Sequence, residues 1–111
     1  MHRQTRLTSI SPSVKKLVYE RDGGRCIICG GPGGPHCHIV RRSQGGMGVT
    51  QNIVTLCGEC HYALDEGLFL GRLKPLGLNS RQDVEDYVID YIKEFYPDWT
   101  RESVTYHKWE D

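Results

Sequence analysis

Four of the five cysteines fall in two Cys-x-x-Cys pairs, Cys26/Cys29 and Cys57/Cys60, with 27 residues between them. Each pair can present two sulfurs to one ion, and four thiolates suit tetrahedral zinc, so the spacing predicts a closed structural zinc site. An ion held this way clamps the two ends of the intervening segment, which must then fold as a unit upon it. The fifth cysteine, Cys37, leaves an odd count that fits a secreted disulfide framework poorly and points to a reducing compartment.

At 111 residues and 38% hydrophobic content, the chain fits one domain whose core is modest enough to need such a staple. No apolar run approaches the ~18 residues of a membrane span, and no apolar leader follows the opening MHRQTR. The expectation is a soluble, untargeted, cytoplasmic protein with no membrane partner. The net charge is zero, yet residues 1–50 hold eight Lys/Arg against two acidic residues, a balance of +6, and the remainder carries −6. That asymmetry permits a basic face toward phosphates.

Residues 1–10 lack periodicity and read as a flexible basic arm. A helix opening at Ser11-Pro12 or Ser13 runs to about Asp22, with Val14, Leu17 and Val18 on one side and Gly23-Gly24 as its stop. After the Gly/Pro-rich run from Gly30 to Pro35, His36–Val40 reads as a strand and Gln51–Leu56 as a second, joined by a long loop containing Ser43–Gly48. Gly58 to about Glu66 turns helical, with Gly67 as a left-handed cap. Beyond the linker Leu68–Asn79, Ser80 caps a helix with Val84, Tyr87, Val88, Tyr91, Ile92 and Phe95 at core spacing before Pro97. The reading is a small α+β fold: a core unit with the zinc site over residues 11–67, and a linker, helix and tail over 68–111 that pack upon it.

In and just beyond the clamped segment stand His36, Cys37, His38, Asn52, His61 and Asp65. His61 and Asp65, at i and i+4, share one helix face and are close enough to chelate a divalent ion. Taken alone, such a pair is more often a surface hydrogen bond, a lone strand histidine is more often structural, and Asn52 is an ordinary turn residue. Their combination is what points to chemistry. His2 and His107 lie outside it and read as surface groups.

The segment HCHIVRRSQGGMGVTQNIVTLCGECHYALDEG, flanked by CIIC and CGEC and preceded by VYERDGGRC, resembles the zinc-containing branch of the HNH endonuclease family. The resemblance runs from about Val18 to Gly67 and implies a zinc-stapled ββα-metal (His-Me finger) domain between an N-terminal helix and a C-terminal amphipathic helix. It implies a metal-dependent DNA endonuclease that hydrolyses phosphodiesters to 5′-phosphate and 3′-hydroxyl ends, by nicking or weakly specific cleavage. His38 takes the role of general base, which a neutral imidazole can perform near pH 7. Asn52, 14 residues later, takes that of the residue holding the hairpin loop and so aiming the base.

His61 matches the family's last metal ligand, and Asp65 stands where some members place a second histidine. Cys37 departs from the pattern, occupying the position of the family's first metal ligand, usually Asp or His. Three assignments are open: Cys37 binds the ion and shifts preference from magnesium toward manganese, nickel or zinc; His36 substitutes for it; or Cys37 is buried filler. Arg41 and Arg42 are placed to grip phosphates beside the cut, and Gly45, Gly46 and Gly48 serve either close approach to nucleic acid or the turn itself. The resemblance further implies DNA as partner, in a phage or bacterial setting with packaging or recombination proteins. The rival readings are a non-catalytic zinc-ribbon nucleic-acid-binding module and a zinc protein whose C-terminal helix docks a partner.

Overall fold

The computed structural model describes residues 3–107 of the chain; His2 and the last four residues of the tail lie outside the described residues. Two antiparallel strands, β1 (Gly34–His38) and β2 (Ile53–Leu56), form a hairpin, and four α-helices surround it: α1 (Arg3–Thr8), α2 (Pro12–Arg21), α3 (Gly58–Glu66) and α4 (Arg81–Phe95). Helix α2 lies on both strands, and α4 packs against α3. This is the small zinc-stapled α+β architecture that the cysteine spacing predicts. No helix among the described residues is long and apolar enough to cross a membrane.

The helix signals act as local chemistry requires. Ser11 caps α2 by accepting from Val14 N–H at 3.2 Å, and Ser80 caps α4 by accepting from Asp83 N–H at 3.1 Å. Gly67 ends α3 at φ 70°, a left-handed conformation that costs glycine nothing. Strand β1 starts earlier and stops earlier than its apolar pattern suggests. From Val40 onward the backbone N–H turns to the Asn52 side chain instead of extending the ladder.

Val18, Val54, Leu64, Val84, Val88 and Ile92 are buried in the core, joined by Cys26, Cys37 and Cys60. Two aromatic expectations on α4 are corrected. Phe95 is 45% exposed, its ring against the Arg21 guanidinium at 5.6 Å, and Tyr87 is exposed with its hydroxyl donating to Ile27 O. The apolar stripe is wider than the buried seam, so its edges meet polar neighbours. Leu17 on α2 is likewise exposed, at 56%, while Val18 beside it is fully buried. The linker over 68–79 is more ordered than its composition suggests: Leu70–Leu76 forms a 3-10 helix, and Leu73 and Leu78 are buried.

Residues 1–10, which show no periodicity, contain α1, docked on the loop after β1. Thr8 is 1% exposed, and Gly48 N–H donates to Leu7 O at 3.0 Å. A Cβ at Gly48 would stand 2.0 Å from Ser9 O, and one at Gly46 would stand 1.7 Å from Val40 O. These glycines are buried and serve the chain's own close approach, which decides between the two roles open to them.

An ion pair at the end of α2 joins three elements. The Asp22 carboxylate is fully buried and accepts from Arg21 Nε at 2.7 Å, Tyr91 Oη at 2.7 Å and Thr55 N at 2.8 Å. Arg21 in turn donates to Thr50 O and Ile53 O, each at 2.7 Å. This arginine therefore belongs to the interior, although in sequence it counts toward the basic half. Removing one partner leaves the other charge buried and uncompensated, so Asp22→Ala is expected to cost about 3–5 kcal/mol. Urea unfolding of the zinc-loaded protein measures this; a loss under ~1 kcal/mol would place the network among the weak surface pairs.

Candidate active site and metal centres

The first pair of cysteines sits on a turn after α2, closed by Cys26 N–H to Gly31 O at 2.8 Å and Gly30 N–H to Cys26 O at 3.0 Å. The second pair opens α3, where Cys57 is the N-cap and its Sγ accepts from Cys60 N–H at 3.4 Å. The four Sγ atoms all lie within 4.8 Å of one another, and Cys29 Sγ is 3.7 Å from Cys57 Sγ. Tetrahedral thiolates ~2.3 Å from zinc stand ~3.8 Å apart, so the cluster fits that ion. All four are free thiols. Cys26 is drawn down to about 4, chiefly by a hydrogen bond from Cys60, whose own thiol is pushed far up. Holding four ionised sulfurs this close calls for a dication among them.

A second group forms where β1 departs from regular register, between Gly34 and Cys37. Cys37 points inward, away from the face that His36 and His38 share, as strand alternation dictates. Here its Sγ joins His61 and Asp65, with one ligand atom from each lying within 4.8 Å of the others. His61 Nε2 is 3.0 Å from Asp65 Oδ2, the contact that the i,i+4 spacing predicts. His36 is exposed and is not part of this group. Cys37 is 1% exposed, its S–H directed at His38 O at 3.8 Å, and burial followed by the Asp65 charge pushes its thiol well up. One sulfur, one imidazole and one carboxylate make a donor set that fits a borderline dication better than magnesium.

His36, His38, Arg41, Arg42, Ser43, His61, Asp65 and Glu66 line an open cleft of about 350 Å³ over this group. His38 Nε2 lies 2.8 Å from Thr8 O at the end of α1. A carbonyl only accepts, so Nε2 carries the proton, and in the neutral ring Nδ1 is left as an acceptor. Burial and then the Arg42 charge lower the His38 pKa against the opposing pull of the Thr8 carbonyl, which favours the neutral ring. Thr8 escapes sequence reasoning altogether, because its contact spans 30 residues and nothing local announces it.

Arg41 donates from one terminal nitrogen to Asp65 O, while its Nε is buried with no acceptor among the described residues. A buried N–H of this kind invites an acceptor from a bound group. Arg42 is exposed and spends its donors on α1, at Thr8 Oγ1 (3.0 Å), Ser9 Oγ (2.7 Å) and Thr5 O (3.3 Å).

Asn52 is fully buried beneath the loop. Its Oδ1 accepts from Val40 N at 2.8 Å, and its Nδ2 donates to Met47 O at 2.9 Å and Val40 O at 3.2 Å. The amide thus closes the loop between the strands and holds the exit of β1 two residues after His38. Asn52→Ala would strand these three backbone groups, and each buried unsatisfied group costs about 1–3 kcal/mol. A melting temperature at least ~10 °C lower is expected. A variant melting within ~2 °C of the parent would show that the loop closes without the amide.

Comparison with known proteins agrees with this geometry. No curated protein matches the chain. The family model for HNH endonuclease matches residues 26–66, which contain both cysteine pairs, His38, Asn52, His61 and Asp65. This segment, with its four cysteines gathered as for zinc, is therefore similar to the HNH endonuclease family.

Proposed function

We propose that this protein is a metal-dependent DNA endonuclease in which His38 is the general base. The observation that carries this reading is the hydrogen bond from His38 Nε2–H to Thr8 O, which leaves Nδ1 to accept within the cleft that His61, Asp65 and Arg41 also line. In the proposed reaction Nδ1 takes a proton from water as its oxygen attacks phosphorus in line. The bond to the 3′ oxygen breaks, leaving a 5′-phosphate, and the departing oxygen takes a proton from solvent. Arg41, which lines the cleft, offers its guanidinium charge to the phosphate. Cys37, His61 and Asp65 would hold a divalent ion, which would supply positive charge to offset the negative charge that builds up in the reaction. Asn52 and Thr8 position the base.

A nick or a weakly specific cut suits one such site, with few side chains placed to read bases. The catalytic unit we propose extends beyond residues 11–67 to include α1, because Thr8 touches the base. A specific observation favours the rival binding-module reading as well: Cys37 is packed like a core residue, with its S–H on a backbone carbonyl.

Incubation of supercoiled plasmid with the zinc-loaded protein, with magnesium, manganese, nickel or no added metal, separates the two. Metal-dependent conversion to the nicked circle supports the endonuclease. DNA binding with no nick under any metal would leave the binding module.

A further inference from the structure

The cleft over the paired histidines does not end at His38. A second opening of about 430 Å³ is lined by Ser9, Ile10, Lys15, His36, His38 and Arg42. It shares His36, His38 and Arg42 with the first, so the two adjoin at these side chains, and we take them as two halves of one groove. Their electrostatics differ. Asp65 and Glu66 line the first half, whereas no acidic side chain lines the second.

Two cations stand in that second half. Arg42 is fixed there by its three bonds to α1, and its remaining terminal nitrogen makes no hydrogen bond to a described residue. Lys15 is exposed on the first turns of α2 and has no acidic partner among the described residues. Two cations beside a carboxylate-free groove favour an anion, and a groove continuing past the reacting centre is where a polyanionic strand would lay its neighbouring phosphate.

We propose that this half of the groove seats the DNA phosphate flanking the scissile one, gripped by Lys15 and Arg42. The inference rests on the endonuclease reading but uses residues outside the matched segment, since Ser9, Ile10 and Lys15 all precede residue 26. Lys15 of α2 and the link Ser9–Ile10 that leads into that helix would therefore line part of the strand's track, in addition to the Thr8 carbonyl that holds the base.

Binding of a labelled duplex without added divalent metal, followed by anisotropy across a salt series, tests this without turnover. The proteins are the parent, Lys15→Gln, Lys15→Arg and, as a matched surface control, Lys16→Gln, each checked for zinc content and melting temperature. Lys15→Gln is expected to bind roughly tenfold more weakly at low salt. The slope of log affinity against log salt should fall by about 1, the signature of one lost phosphate contact. Lys15→Arg should restore both, and Lys16→Gln should change neither. If Lys15→Gln binds like Lys16→Gln while the parent nicks plasmid, the flanking seat is wrong and the endonuclease stands. If the parent neither binds nor nicks, the endonuclease reading falls and takes this inference with it.

Discussion

Removing zinc from the purified protein is expected to abolish its cooperative fold. The reason lies in how little else closes the chain. The hairpin has only 5- and 4-residue strands, and two-stranded sheets of that size are marginal in water. Cys26 and Cys60 are themselves core residues, packed with Ala63, Leu64 and Val88. Without the ion, four sulfurs crowd one site with two of them, Cys26 and Cys60, buried, and nothing offsets the repulsion of any that ionise. Structural zinc contributes about 10–16 kcal/mol near neutral pH, more than the ~5–15 kcal/mol that holds a typical domain together. Chelation should therefore collapse the far-UV helical signal and the sharp melt together, and re-addition of zinc should restore both. Cys60→Ser should behave as the chelated protein does, while Cys37→Ser keeps one tightly held zinc. A chelated protein with an unchanged melt would mean that burial alone carries the fold.

The elements that the sequence announces are those whose causes are local. Ser11, Ser80 and Gly67 cap helices from within a few residues, and the cysteine pairs fix their own turns. Asn52 and the His61/Asp65 pair were legible as a family pattern, and the i,i+4 contact at 3.0 Å follows from helical pitch alone. What could not be read is what distant segments do together. Helix α1 has no periodicity because, among its described side chains, it buries Thr8 alone rather than an apolar face. Its value lies in backbone carbonyls, which sequence composition does not encode. Arg21 was legible only as a charge, and its removal to the interior depends on Asp22, Tyr91 and β2. Cys37 is buried while His36 and His38 line the groove, as strand alternation dictates, and its meeting with His61 and Asp65 depends on where α3 is placed.

The same separation between a group and its support sets the terms for the second large effect. His38→Ala is expected to lose plasmid nicking by about 10²–10⁴-fold, the usual contribution of a positioned general base. Alanine alone would leave the result ambiguous, because it also deletes the donor to Thr8 O and could release α1 from the loop. His38→Gln resolves this. A glutamine amide can still donate to Thr8 O, so α1 and the groove should stay in place, but an amide cannot take a proton from water near neutral pH. Both variants should retain zinc, and Gln should melt closer to the parent than Ala does. Equal loss of nicking in the two then assigns the effect to the base. Nicking that survives in Gln but not in Ala would reassign His38 as a brace for α1 and require another group to activate water. His36, which lines the same groove, would be the residue to replace next.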